Sequence, residues 1–214
     1  MSQTNLSELE LAALLCSRVC HDVISPVGAI ANGLEVLEDE KDEQMKEFAM
    51  DLIKKSATQA SAKLQFARLA FGAAGSAGAH IDLMDAKYVT EAFIGNEKVT
   101  MSWQAPVATM GKNKVKLLLN LVLIALTTIP RGGHLDISVD DDVENPAFLL
   151  KAKGKAAKIQ PNLNALLHAE IDADEIDARD VQVYYTGLIA REIDMDVILD
   201  IDGEEATVGA VAKE

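Results

Sequence analysis

The sequence predicts an α plus α/β protein, in which an N-terminal helical hairpin pairs with a second copy as a four-helix bundle and a two-layer α/β sandwich follows. Three observations carry this. Leu9, Ala13, Cys16, Cys20, Val23, Val27, Ile30, Leu34 and Leu37 recur at alternating intervals of four and three, the spacing of an apolar seam in a coiled coil or helical bundle. Residues 72–78, GAAGSAG, have the small side chains of a hinge or linker. Beyond them helical and alternating patterns interleave, as in a sheet covered by helices. The expected units are 1–75 and 79–214.

The first helix is expected from Asn5 to Glu38, and the acidic turn Glu38-Asp39-Glu40 leads into a second periodic stretch. There Met45, Ala49, Leu52, Ala60, Leu64, Ala67 and Phe71 line a face, with Lys54, Lys55 and Lys63 off it, and Gly72 ends the helix. Each helix has one apolar face, and a lone hairpin leaves part of that surface wet. A second copy across a two-fold axis covers it. The expected dimer core is Leu9, Cys16, Cys20, Val23, Val27, Ile30 and Leu34.

In the second unit, Val99, Met101 and Trp103 alternate within a strand from Lys98 to Gln104. Lys112–Ile129 is an apolar helix ended by Pro130 and Gly132-Gly133. Strands His134–Val139 and Ala147–Ala152 follow, then helices Asn164–Ala169 and Ala178–Met195. Strands Val197–Ile201 and Ala206–Ala212 close the chain around Asp202-Gly203. No internal repeat is present.

Composition narrows the function. The 214 residues hold 20 basic and 34 acidic side chains, a net charge of −14. That excess repels phosphate backbones, so nucleic acid is excluded as the main partner. The basic residues form no stripe suited to an anionic membrane. The most apolar stretch, Leu117–Pro130, is 14 residues long, against about 20 needed to span a bilayer. The start, MSQTNLSELELAA, lacks the basic opening and cleavage site of a secretory signal. A soluble, cytoplasmic protein is expected. Charge is uneven: residues 1–78 carry 7 basic and 11 acidic side chains (−4), and residues 79–214 carry 13 and 23 (−10). Cys16 and Cys20 share a helix face, poorly placed for a disulfide, and are expected as buried reduced thiols. No neighbouring His or Cys completes a zinc set.

On a helical wheel His21 points roughly 130° from the seam. Arg18, Asp22, Ser25, Ala29, Asn32, Gly33 and Val36 share its side. From Val19 to Leu34 the only formally charged residue is Asp22, whereas an ordinary exposed helix face is rich in Lys and Glu. Something should cover so bare a surface, either the chain's own α/β unit or a docking partner. Pro26 has no amide to offer the carbonyl of Asp22, so a bend falls one turn beyond the histidine.

His21-Asp22-Val23-Ile24-Ser25-Pro26 resembles the phosphoacceptor box of histidine kinases, His-(Glu/Asp)-x-x-x-Pro, on the first helix of a dimerisation hairpin. The second unit resembles their ATP-binding domain in element order. The stretch Leu14–Asp39 is similar to the signature of the ChpT family, the histidine phosphotransferases of an alphaproteobacterial cell-cycle relay, and the likeness extends more weakly over the rest of the chain. The kinase pattern Asn-Leu-x-x-Asn-Ala would place its magnesium ligand at position 124, where this chain has Ile124, which has no oxygen for a hard cation. The Asp-x-Gly-x-Gly loop would fall near Ala152–Ala156 and keeps only Gly154. No later Gly-x-Gly loop precedes the helix near Ala178. The resemblance therefore implies a degenerate, pseudo-kinase domain that binds no ATP, and no cofactor is expected. Lys151, Lys153, Lys155 and Lys158 read as a solvated edge more readily than as an anion site.

The expected function is histidine phosphotransfer. A histidine ordinarily titrates near pH 6.5, so at cytosolic pH a neutral ring is the main form and offers a nitrogen nucleophile to an aspartyl phosphate. Asp22 would orient the imidazole or handle a proton. Family resemblance favours Nε2 as the phosphorylated nitrogen. Arg18, Ser25, Pro26, Ala29, Asn32 and Val36 are the expected docking residues, with Arg18 equally readable as an ordinary exposed side chain. The Mg²⁺ that neutralises the transferring group would come with the partner receiver domain. The resemblance implies as donor the receiver of a CckA-like hybrid kinase, and as acceptors response regulators of the CtrA and CpdR type. Two other readings stand beside it: an autophosphorylating kinase with an atypical ATP site, and a non-catalytic dimeric adaptor.

Overall fold

The computed structural model describes residues 6–72, 80–95 and 98–213. Helices α1 (Glu8–Asp39) and α2 (Glu43–Ala70) form the hairpin. Ser7 starts α1 with a capping box, its hydroxyl accepting from Glu10 N at 3.3 Å while the Glu10 carboxylate accepts from Ser7 N at 2.9 Å. The Ser7 hydroxyl also donates to the Glu10 carboxylate at 2.6 Å, and this bond, with the one from Ser7 N, holds the Glu10 carboxyl below its usual range. Asp42 caps α2 by accepting from Gln44 N at 2.8 Å.

The side of α1 that meets α2 is not the heptad seam. Its buried residues are Pro26 and Gly33, seven positions apart. A Cβ on Gly33 would stand 2.7 Å from Ile53 Cγ1 and 3.3 Å from the Ala49 carbonyl oxygen. Helices approach that closely only where side chains are minimal. The bulkier seam residues beside them turn to solvent. Val27 and Leu34 are each 49% exposed and Leu9 is 81% exposed, while Val23 and Ile30 are half-buried. Cys16 and Cys20 are free and exposed within the chain, contrary to the burial expected of them. In α2, Ala49, Ser56 and Ala60 are buried while Met45, Leu52 and Leu64 are exposed. Both helices leave apolar side chains uncovered.

By length and composition α1 could also cross a membrane, which corrects the expectation that no stretch is long and apolar enough. The same composition describes a bundle helix, and α1 packs along α2 with the Arg18–Asp22 ion pair near its middle. From Ala73 onward the small-residue linker lies outside the described residues.

The α/β part holds a five-stranded sheet of order β2-β4-β5-β7-β6, from Val99–Gln104 (β2), Gly133–Val139 (β4), Phe148–Lys153 (β5), Met195–Asp202 (β6) and Glu205–Ala212 (β7). The β2–β4 pair is parallel and the others antiparallel. Helices α4 (Lys112–Thr128) and α6 (Val181–Glu192) cover one face, over Leu135, Ile137, Phe148, Leu150, Ala152, Ala206, Val208 and Ala210. Thr100, Asp136, Lys151 and Ile198 stand exposed on the opposite face. This is the expected two-layer sandwich. The sequence reading did not anticipate helix α3 (Leu83–Ile94) or the small antiparallel pair β1 (His80–Asp82) and β3 (Thr109–Gly111). The short helix expected at Asn164–Ala169 is α5 (Leu163–Leu167).

Asn120, wholly buried on α4, ties the two parts together. Its Nδ2 donates to the carbonyl oxygens of Ala70 at 3.0 Å and Lys116 at 2.8 Å, and its Oδ1 accepts from Gln182 Nε2 at 3.1 Å. End of α2, α4 and α6 thus share one satisfied polar centre, which rigidifies the junction.

Candidate functional site

His21 sits in the fourth turn of α1 with 70% of its side chain exposed. Its Nδ1 lies 3.6 Å from Asp22 Oδ1, just beyond hydrogen-bond length. The other Asp22 oxygen accepts from Arg18 Nε at 2.9 Å, across one helical turn. The carboxylate is thereby held beside Nδ1. A neutral imidazole with its proton on Nδ1 presents a lone pair at Nε2, and a carboxylate beside Nδ1 stabilises the positive charge that appears when Nε2 forms a bond.

Arg18 is not the ordinary exposed side chain that was one reading of it. Its Nη1 donates to the carbonyl oxygen of Arg179 at 3.1 Å, a residue the sequence reading did not select. Nearby, Leu6 N donates to Tyr184 Oη at 3.2 Å. The α/β part therefore covers the Arg18 end of the bare face, and Ser25, Asn32 and Val36 remain exposed with Ala29 half-buried. Two residues expected on that face are turned inward: Pro26 is buried, and Gly33 packs on Ile53. The wheel placed them with His21 because it carries no knowledge of where the second helix lies.

A cleft of about 1200 Å³ opens between α1 and the α/β part, with Arg18, His21 and Asp22 on one side and Thr127, Arg131 and Asp180 among the residues opposite. Burial, together with the charge of Asp177, pushes the Asp180 carboxyl above its usual range. Neither Ile124 nor Gly154, the positions that the kinase resemblance points to, is among the residues lining this cleft. Ile124 is wholly buried and has no oxygen to ligate Mg²⁺. Gly154, the surviving loop glycine, answers a packing demand, since a Cβ there would meet the Gly132 carbonyl oxygen at 2.4 Å. Among the described residues no three His, Cys, Asp or Glu side chains converge as a metal site. Lys151, Lys153, Lys155 and Lys158 are exposed, with Lys151 3.8 Å from Glu205.

Comparison with known proteins is consistent across sequence and structure. The family model for the histidine phosphotransferase C-terminal domain matches residues 83–205. Over 205 residues the chain is 47% identical to the protein phosphotransferase ChpT of Brucella abortus (strain 2308), covering 96% of this chain and 97% of that one. A solved structure described as a bacterial phosphotransferase superposes with a TM-score of 0.89 at 45% identity, covering 97% of this chain and 98% of its own.

Proposed function

The chain belongs to the histidine phosphotransferase family and is a phosphotransferase; on that premise we propose that His21 is its phosphoacceptor within a multistep phosphorelay. The observation that carries this reading is the exposed imidazole one turn before Pro26, with Nδ1 beside the Asp22 carboxylate and the rest of the face bare of charge. The Nε2 lone pair attacks the phosphorus of an aspartyl phosphate on a receiver domain. The phosphorus–oxygen bond to the aspartate breaks and its electrons stay on the departing carboxylate. The ring, now carrying the phosphoryl on Nε2 and a proton on Nδ1, is stabilised by Asp22. A second receiver's aspartate then attacks the phosphorus, and the electrons of the breaking bond return to Nε2.

Ser25, Ala29, Asn32 and Val36 form the strip on which the receiver docks, small and uncharged enough for a helix to come close. The Mg²⁺ that neutralises the transferring group comes with the receiver's acidic pocket, and no ATP is used by this chain. Leu9, Cys16, Cys20, Val23, Val27, Ile30 and Leu34 meet their counterparts in a homodimer, a reading supported by the exposure of Leu9, Cys16, Cys20, Val27 and Leu34 in the single chain. Receivers of the CckA, CtrA and CpdR type are the proposed partners, in a cytoplasmic cell-cycle relay.

The test mixes the purified chain with an isotopically phosphorylated receiver domain and, in parallel, with ATP alone. Label is expected on the chain from the receiver and not from ATP, and none on His21→Ala. Label on His21→Ala overturns the site, and self-labelling from ATP overturns the phosphotransfer reading.

A further inference from the structure

Pro26 breaks one link in α1. A residue four positions before a helical proline keeps a carbonyl without its usual amide donor. Here that carbonyl belongs to Asp22, the residue after His21. The structure supplies a donor from the other helix: Lys63 Nζ lies 3.2 Å from the Asp22 carbonyl oxygen, 41 positions along the chain. We propose that Lys63 is a positioning residue for phosphotransfer, replacing across the hairpin the hydrogen bond that Pro26 removes and so fixing the turn of α1 that carries His21. This rests on the reading of His21 as phosphoacceptor.

The surroundings favour this role over an incidental contact. Lys63 is half-buried on α2, where a lysine ordinarily extends its ammonium to water. None of the ion pairs among the described residues involves it, and its ammonium lies against a backbone oxygen. The contact falls at the one carbonyl in the interior of α1 that the sequence leaves short of a donor. The Asp22 side chain is engaged separately by Arg18. Residue 22 is thus held twice, by Arg18 along its own helix and by Lys63 from the second. An imidazole one position away inherits that fixity, and small displacements of a reacting group cost large factors in rate.

A double-mutant cycle on the full chain tests this, with Lys63→Met, Lys63→Arg, Pro26→Ala and Pro26→Ala/Lys63→Met compared for rate of phosphoryl acceptance from a labelled receiver and for melting temperature. Lys63→Met is expected to slow acceptance about tenfold, and Lys63→Arg, which still donates, to recover most of the rate. Alanine at position 26 restores an amide to the Asp22 carbonyl, so in that background Lys63→Met is expected to change the rate by less than about twofold. An equal loss in both backgrounds, or no rescue by arginine, overturns the proposal, as does an unchanged rate in Lys63→Met. A wild-type chain that accepts no phosphoryl group defeats the reading of His21 and the positioning role with it. The melting cycle then decides the bridge alone, coupling between positions 26 and 63 sustaining it and additivity refuting it.

Discussion

Helices α1 and α4 are both rich in apolar residues, and they spend them in opposite ways. Over 17 residues α4 buries Val115, Leu117, Leu118, Leu119, Leu121, Val122, Ile124 and Ala125 beneath the sheet and the neighbouring helices. Over 32 residues α1 buries only Pro26 and Gly33. A helix that is apolar all round belongs in a core, whereas one with apolar side chains left in solvent is built to be covered by another molecule. The two helices also treat polar groups differently. Asn120 in α4 is enclosed and fully bonded, while the His21 side chain in α1 is 70% exposed. Stability lives in α4, and the transfer chemistry we propose lives on α1.

The largest expected effect comes from placing the same charge in each helix. Leu118→Glu buries an unpaired carboxylate and is expected to cost more than about 4 kcal/mol, giving no folded α/β domain by circular dichroism. Val27→Glu, at a half-exposed seam position, is expected to leave a folded chain and convert dimer to monomer in analytical ultracentrifugation. A Val27→Glu chain that stays dimeric would remove this seam from the interface.

A smaller effect is expected on the docking strip. Asn32→Arg is expected to leave the proposed dimer intact and to slow acceptance from a phosphorylated receiver about tenfold, through bulk and charge at the surface proposed to lie close to the partner. A wild-type rate would place the receiver elsewhere. The smallest effect belongs to Asp180 on the far wall of the cleft. Its pKa is raised in the fold, so the neutral form is favoured there, and that contribution is complete below the ordinary aspartate pKa and lost as pH rises through the folded value. At neutral pH the charge is a cost. Asp180→Asn is therefore expected to raise the melting temperature by no more than about 2 °C at pH 7, with the gain vanishing near about pH 3. A loss of stability at pH 7 would contradict this.

Much of the fold is legible in the residues because its signals are periodic. The heptad places α1 within three residues of its observed ends, and the capping box Ser7-x-x-Glu10 fixes the start more closely than the heptad does. The phase is harder. A helix in a bundle faces two neighbours, and the 3.5-residue repeat marks an apolar stripe without saying which neighbour it meets; Pro26 and Gly33 take the contact with α2. Helix α3 carried a readable start, Asp82 accepting from Met84 N at 2.8 Å, but its 12 residues follow a three-residue strand too short to show alternation. His21 and Asp22 are legible because Pro26 makes their helix unusual. Arg179 is not, since its carbonyl meets Arg18 across 161 positions. Lys63 lies between: the proline announces a carbonyl in need of a donor, and only the packing of the hairpin selects Lys63 over Lys54 and Lys55.

The central claim is that the open nitrogen on α1 carries the phosphoryl group. The most direct measurement incubates the chain with a phosphorylated receiver, digests it, and maps the phosphoryl by mass spectrometry under conditions that preserve phosphohistidine. A single acid-labile phosphoryl on the peptide containing His21, lost when a second receiver is added, is the predicted result. A phosphoryl group on any other residue, or one that no second receiver can remove, would contradict it.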